Sequence, residues 1–70
     1  MAESVYRVTE IVGTSAESWE DAVRTAVETA SQSLRDLRVA EVVKLDMTIE
    51  NGKVARFRAR VNLSFKYEKE

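Results

Sequence analysis

The sequence contains neither histidine nor cysteine. These absences exclude a zinc site built from Cys and His ligands, a Cys or His nucleophile, a Ser-His-Asp relay and a disulfide framework. The side-chain chemistry that remains is that of carboxylates, hydroxyls, amines, guanidinium groups and a single indole. The range of reactions open to this chain is therefore narrow.

The chain also lacks a surplus of positive charge and a long apolar run. Its 11 Lys and Arg residues stand against 12 Asp and Glu, for a formal net charge of -1, whereas nucleic-acid-binding proteins concentrate positive charge. No stretch approaches the roughly 18 apolar residues of a membrane span, and Met1–Ser4 lacks the features of a secretory leader. We therefore expect a cytoplasmic protein with no nucleic-acid partner and no contact with a membrane.

What the sequence does contain is the composition of a folded domain. Its 70 residues are 44% apolar and 33% charged, and residues 1–70 are expected to form one domain. A domain of this size buries only about 60% of the surface that its unfolded chain exposes. Self-association is the usual remedy where disulfides and metals are missing, so we expect an oligomer.

The first segment, Ser4–Val12, has the β-branched and aromatic residues typical of a strand. Its apolar residues fall on both sides of that strand, which indicates either contact on both faces or a bulge within Glu10–Val12. The following Gly13–Ser15 is interpreted as a turn from this strand into a helix.

A helix is predicted next, because apolar residues recur at steps of three and four from Trp19 to Leu37. Ser18 is the expected N-cap, with Asp21 at the third helical position, and Ser15 is a competing cap one turn earlier. Trp19 is interpreted as a core or subunit-contact residue. Three carboxylates crowd the first turn, where they either complement the helix dipole or contribute to a cation site shared with a neighbouring subunit. They are Glu17, Glu20 and Asp21.

Two long strands, Val39–Ile49 and Val54–Tyr67, are predicted to form a hairpin at Asn51-Gly52. A two-residue loop would mix charged and apolar residues on both faces of the hairpin. A three-residue loop, Asn51–Lys53, separates them and is therefore preferred. Its register pairs Met47 with Phe57, Leu45 with Ala59, Val43 with Val61, Asp46 with Arg58 and Lys44 with Arg60.

The expected fold is therefore α+β with the order β-α-β-β, a three-stranded antiparallel sheet partly wrapped around one helix, with the first strand on the last. The apolar row from Ala55 to Phe65 spans on the order of 33 Å at about 3.3 Å per residue. Much of one sheet face and at least one strand edge stay open, which a stable monomer would not leave exposed. Such a fold offers no deep cleft within a subunit, so we expect no enzyme.

Arginines 56, 58 and 60 project from one face of the last strand at two-residue intervals. They could form a cradle for phosphate or carboxylate, or simply a solvated strand face whose partners are acidic residues such as Asp46. Both interpretations stay open, with Arg56 and Arg60 as possible anion contacts.

Four short motifs stand out along the chain: Ile11-Val12-Gly13-Thr14-Ser15, the acidic helix start, Ala40-Glu41-Val42 and Ser64-Phe65-Lys66. Together with the β-α-β-β order, they resemble the dodecins over nearly the whole chain. Dodecins are small hollow homododecamers, and most of those described bind stacked flavin pairs where subunits meet. The resemblance thus implies that the open sheet faces become interior and intersubunit surfaces.

The positions that match the family's flavin pocket carry unusual residues. Val39 stands where flavin-binding members have a stacking Trp, and Arg58 stands where they have a hydrogen-bonding Gln. Valine has no ring to stack, and arginine has donors but no acceptor. The resemblance therefore implies a degenerate flavin site that binds flavin weakly. A flavin store remains the alternative, with a pocket rebuilt around Arg56, Arg58 and Lys66.

A second set of motifs consists of Ser18-Trp19-Glu20, Arg38-Val39-Ala40, Asp46-Met47 and Ser64-Phe65-Lys66. These motifs resemble the branch called calcium dodecins, which lacks the flavin tryptophan. This likeness implies a non-enzymatic binding or storage shell for calcium or another small ligand. Asp46 is a further metal candidate, although the register also allows it to form a salt bridge with Arg58. An enzyme assembled between subunits is the remaining alternative, without a specific signal in the sequence.

Overall fold

The computed structural model describes residues 3–67 and has the predicted order of elements. Strand β1 is Tyr6–Ser15, helix α1 is Trp19–Ala30, strand β2 is Leu37–Glu50 and strand β3 is Lys53–Lys66. The strands form one antiparallel sheet in the order β1-β3-β2, so the first strand does pair with the last. Among residues 3–67, no helix has the length and apolar character that crossing a bilayer takes.

Strand β1 begins and ends later than the predicted Ser4–Val12, and it has no bulge. Its register with β3 is continuous from Tyr6 to Ser15, so Gly13 lies inside the strand and not in a turn. The reason is the helix that packs over it. A Cβ at Gly13 would overlap the Ala22 carbonyl oxygen and lie 2.8 Å from Ala26 Cβ. The glycine therefore sets how closely α1 approaches the sheet.

The helix begins where the capping pattern predicts. The Ser18 side chain accepts a hydrogen bond from the Asp21 backbone N–H at 3.0 Å. Ser15 is not the cap: it is buried at the end of β1, and its hydroxyl donates to the Asp21 carboxylate at 2.7 Å. The same hydroxyl accepts from the Glu17 backbone N–H at 2.8 Å. These bonds tie the acidic first turn of α1 to the end of β1.

The helix ends at Ala30, well before the predicted limit at Leu37. A turn over residues 31–33 follows, and Asp36 has a positive φ of 60°, which is incompatible with a continuing α-helix. Leu34 and Leu37 nevertheless pack against the core. The apolar periodicity thus identified the right core residues but assigned them to the wrong element.

The hairpin has the predicted register near its centre but a different turn. Asn51 and Gly52 have φ values of 54° and 76°, and Glu50 pairs with Lys53, so the turn has two residues. The additional residue that the register requires is Ala55, which lies at a β-bulge beside the turn. The predicted pairs Met47–Phe57 and Asp46–Arg58 are therefore correct, although the three-residue loop was wrong.

A second bulge corrects one more predicted pair. The register shifts between Val42 and Lys44, so Val42, and not Val43, lies opposite Val61. Lys44 still lies opposite Arg60, as predicted.

The core is small and covers only part of the sheet. Its fully buried side chains come from α1 and β3, while the helix-facing side of β2 remains open, with Val42 46% and Leu45 47% exposed. A 12-residue helix is about 18 Å long, whereas a 14-residue strand is about 46 Å. The buried core residues are Ala22, Ala26, Ala59, Val61 and Leu63.

Candidate functional site

The centre of the candidate site is a two-pronged salt bridge between β2 and β3. Arg58 Nε donates to Asp46 Oδ1 at 2.7 Å, and Arg58 Nη2 donates to Asp46 Oδ2 at 2.9 Å. The two residues lie directly opposite each other on the sheet face away from α1. Each side chain keeps about two-fifths of its surface exposed. The sequence register predicted this pair, and the structure shows the side chains in contact.

The salt bridge stabilises the charged forms of both partners. The hydrogen bond from Arg58 lowers the pKa of Asp46 below its ordinary value of 3.8. Partial burial opposes this shift, while the positive charges of Arg58, Arg60 and Lys44 add to it. The hydrogen bond to Asp46 likewise raises the pKa of Arg58. Both groups are therefore ionised at neutral pH.

Trp19 joins the start of α1 to this part of the sheet. Its indole Nε1–H donates to the Asp46 backbone carbonyl at 2.9 Å, and its ring meets Phe57 edge-on at a centroid distance of 5.0 Å. Sequence reasoning placed Trp19 at a core or subunit contact but missed this hydrogen bond. Every residue has a backbone carbonyl, so the sequence gives no signal for which one accepts the hydrogen bond from Trp19.

An apolar cleft lies between α1 and the uncovered part of β2. Its volume is about 540 Å³, and its rim carries Glu20 and Arg24. The rest of the lining is apolar, formed by Trp19, Val23, Val42 and Leu45. The cleft exists because α1 contacts β1 and β3 far more than it contacts β2.

The four acidic candidates for a metal site do not form a cation cage within one chain. Glu20 lies 3.4 Å and Asp21 3.8 Å from the guanidinium of Arg24, and Asp46 is bound to Arg58. Glu17 is exposed and lies outside the predicted first turn, one residue before the Ser18 N-cap. Within residues 3–67, no three acidic side chains converge as a metal site requires. Calcium takes six to eight oxygen ligands, so these residues would need oxygens from a neighbouring subunit.

The positions that the sequence resemblance assigned to a flavin pocket are dispersed in a single chain. Val39 lies on β2 opposite Ser64 and is 55% exposed, and Lys66 lies at the end of β3 opposite Tyr6. Arg58 is eight residues from Lys66 along the same strand, a separation of about 26 Å. A pocket that used all three positions would therefore need more than one copy of the chain.

The structure distinguishes the three arginines of β3. Arg58 is bound to Asp46, whereas Arg60 Nη1 lies 3.6 Å from Glu10 Oε1 in a longer ion pair. Arg56 is exposed and lies opposite Thr48. The predicted row of three equivalent arginines is therefore chemically uneven.

Comparisons with known proteins agree on one family. The family model described as Dodecin matches residues 5–68. Calcium dodecin from Mycobacterium tuberculosis is 43% identical over 63 residues, which cover 90% of this chain and 89% of that protein. Its crystal structure, described as that of a calcium-chelating antigen with a novel calcium-binding site, matches with a TM-score of 0.82 over 96% of each chain.

Two further solved structures also match over their full length. Dodecin from Streptomyces coelicolor is 44% identical, with a TM-score of 0.92 over 100% of both chains. Dodecin from Streptomyces davaonensis is 34% identical, with a TM-score of 0.89 over 97% of this chain and 100% of that one.

Proposed function

The chain belongs to the dodecin family, and on that premise we propose that it forms a non-enzymatic homododecameric shell. We propose further that the shell binds calcium or another small ligand and has lost the family's flavin site. The observation that carries the proposal is the two-pronged Asp46–Arg58 salt bridge, which engages the side chain at the position of the flavin-binding glutamine.

The assembly is supported by the apolar surface that one chain leaves open. Strand β2 is a sheet edge, and its helix-facing residues Val42, Leu45 and Met47 are 38% to 47% exposed. An apolar strip beside a free strand edge is unfavourable in water and favours association with another chain. A second copy of the same chain is the occupant that the family implies.

Loss of flavin binding follows from two side chains with different defects. Val39 offers no aromatic face, and stacking is worth about 0.5–1.5 kcal/mol beyond area burial. Arg58 donates hydrogen bonds to Asp46 through Nε and Nη2 and has no acceptor for a flavin edge. A flavin would have to break that salt bridge before it could use the guanidinium.

A fluorescence titration tests this part of the proposal. The protein should be colourless when purified and should not quench riboflavin or FMN fluorescence at micromolar concentrations. The Val39→Trp/Arg58→Gln variant should gain quenching, because it restores a stacking ring and an amide. The matched control is Val39→Trp/Arg56→Gln, which removes an arginine from the same strand face but leaves the Asp46–Arg58 pair intact. Strong quenching by the parent protein would instead support the flavin store.

Calcium binding is supported by the acidic residues before and in the first turn of α1 and by the calcium-binding relative. We propose that Glu17, Glu20 and Asp21 contribute oxygens at a contact between subunits. Calcium should then raise the thermal midpoint by mass action, with about 2.7 kcal/mol of stabilisation at a hundredfold excess over Kd. Magnesium should not, because it demands stricter octahedral geometry and retains its waters. Equal shifts with both ions, or none, would contradict a specific calcium site.

A further inference from the structure

Two cations face each other on the open side of the sheet. Lys44 of β2 lies directly opposite Arg60 of β3, beside the bulge at Val43. Residues directly opposite on one face of an antiparallel pair have Cβ atoms about 5 Å apart, and like charges in that position repel. The arrangement is therefore unfavourable in the isolated chain unless a negative group lies between or above the two side chains.

The nearby carboxylates compensate this pair only in part. The positive charges of Arg58, Arg60 and Lys44 all act on the Asp46 carboxylate and lower its pKa. Both carboxylate oxygens, however, already accept hydrogen bonds from Arg58. Glu10 reaches Arg60 from β1, at the longer distance of 3.6 Å. Glu41 of β2 is a third carboxylate on this face, opposite Asn62. Among residues 3–67, however, no carboxylate lies within 4 Å of the Lys44 amine, so Lys44 and Arg60 have the weakest compensation.

We propose that Lys44 and Arg60 form an anion-binding site for a phosphate group on this face of the sheet. A dianionic phosphate suits the pair, because arginine offers parallel N–H donors and lysine offers a compact charge that binds phosphate well. The group can be inorganic phosphate or the phosphate of a small monoester. Arg58 is excluded from the site by its bond to Asp46, and Arg56 lies opposite the neutral Thr48, with no second cation across from it on β2.

Calorimetric titration of the full-length protein with inorganic phosphate, at low ionic strength in a chloride buffer, tests the site. Lys44→Gln and Arg60→Gln should each weaken binding by about tenfold, since each removes one charge-assisted contact. Arg56→Gln is the matched control, with the same charge removed from the same face of β3, and should change the affinity by less than about twofold. Glycerol 3-phosphate and acetate, titrated in parallel, distinguish a monoester site from an inorganic phosphate site and from a carboxylate site.

Glu10→Gln gives an independent test in the opposite direction. It frees Arg60 from its carboxylate partner, so phosphate should bind more tightly. The proposal is overturned if the parent protein binds no phosphate at millimolar concentration, if acetate binds as well as phosphate, if Arg56→Gln weakens binding as much as Arg60→Gln, or if Glu10→Gln brings no gain. All the residues of the site belong to one chain. A native mass measurement of each variant shows whether the shell is still assembled, so a loss of phosphate binding can be distinguished from a loss of assembly.

Discussion

At the scale of single residues, the Asp46–Arg58 pair determines the chemistry of the open sheet face. It ties β2 to β3 on the face where Arg60 has only a longer contact with Glu10 and where Lys44, among the described residues, has no carboxylate within 4 Å. Because the pair is two-fifths exposed, solvent screens it, and its effect on stability is modest. Its larger consequence is for which ligands the face accepts.

The pair predicts a specific dependence of stability on pH. The folded pKa of Asp46 is lowered, so the salt bridge contributes fully above the ordinary value of 3.8 and is lost as the pH falls through the folded pKa. Asp46→Asn should therefore lower the thermal midpoint at pH 7, and the difference from the parent should shrink as the pH falls below 3.8 and through the lowered pKa of the folded state. Glu41→Gln, an exposed carboxylate on the same strand opposite Asn62, is the control. A constant difference at every pH would show that the carboxylate charge is not the cause.

The pairing of Asp46 with Arg58 could be predicted from the sequence because only one register separates charged from apolar side chains. The hydrogen bond from Trp19 to the Asp46 carbonyl could not, since it depends on where a helix 27 positions away crosses the sheet. The metal candidates show the same limit. Their charges are visible in the sequence, but the contacts of Arg24 with Glu20 and Asp21 appear only in the folded chain.

At the scale of elements, the strands could be predicted more securely than their ends. Alternation along β3 indicates its two faces over its whole length. The turn geometry, however, does not follow from that alternation. A two-residue turn with a bulge at Ala55 gives the same central register as the predicted three-residue loop, so the sequence pattern does not distinguish the two. The helix end was missed for a similar reason, because Leu34 keeps the helical spacing after the backbone has left the helix.

The contact between α1 and β1 gives a prediction for its central glycine. Gly13→Ala should destabilise the protein by about 3 kcal/mol, because overpacking against a rigid backbone costs at the upper end of the usual range. The new Cβ would overlap the Ala22 carbonyl oxygen, which belongs to the helix backbone and cannot rotate away.

Gly52→Ala provides the contrast. Its Cβ would meet nothing within 4 Å, so only the positive φ of 76° opposes the change, at a cost of about 1 kcal/mol. Urea unfolding at one fixed protein concentration measures both variants, since the stability of an oligomer depends on concentration. A smaller loss for Gly13→Ala than for Gly52→Ala would show that α1 can move away from β1 easily.

At the scale of the whole molecule, the uneven lengths of the elements explain why one chain is incomplete. The apolar periodicity predicted a helix from Trp19 to Leu37, but α1 has only 12 residues against the 14 of each hairpin strand. Each helical residue also advances less than half as far as a strand residue. The hairpin therefore extends beyond its cover, and the open strip on β2 follows from geometry. Sequence alone could predict that a surface stays open, but not that this surface lies on β2.

Leu45 tests whether that open strip is the contact between copies. In the isolated chain Leu45 is 47% exposed, so Leu45→Lys should change the stability of a single subunit little. At an apolar contact between subunits it should be strongly destabilising, because the buried charge would lack a partner. The parent should have a native mass of about 95 kDa, twelve times the 7.9 kDa of one chain, and Leu45→Lys should release smaller species. Val5→Lys, at a residue that is 63% exposed and precedes β1, should keep the full mass.

The fluorescence of Trp19 reports on dissociation of the subunits, because Trp19 is the only tryptophan and lines the cleft together with Leu45. Dissociation should shift its emission to longer wavelength as the cleft becomes hydrated, while circular dichroism shows that the subunit stays folded. If Leu45→Lys did not fold, Leu45→Ala would still weaken the assembly without introducing a charge, and dilution would reveal the change. A parent protein that is a well-folded single chain in dilute buffer, or a Leu45→Lys variant with the full native mass, would exclude this strip as the surface on which the shell is built.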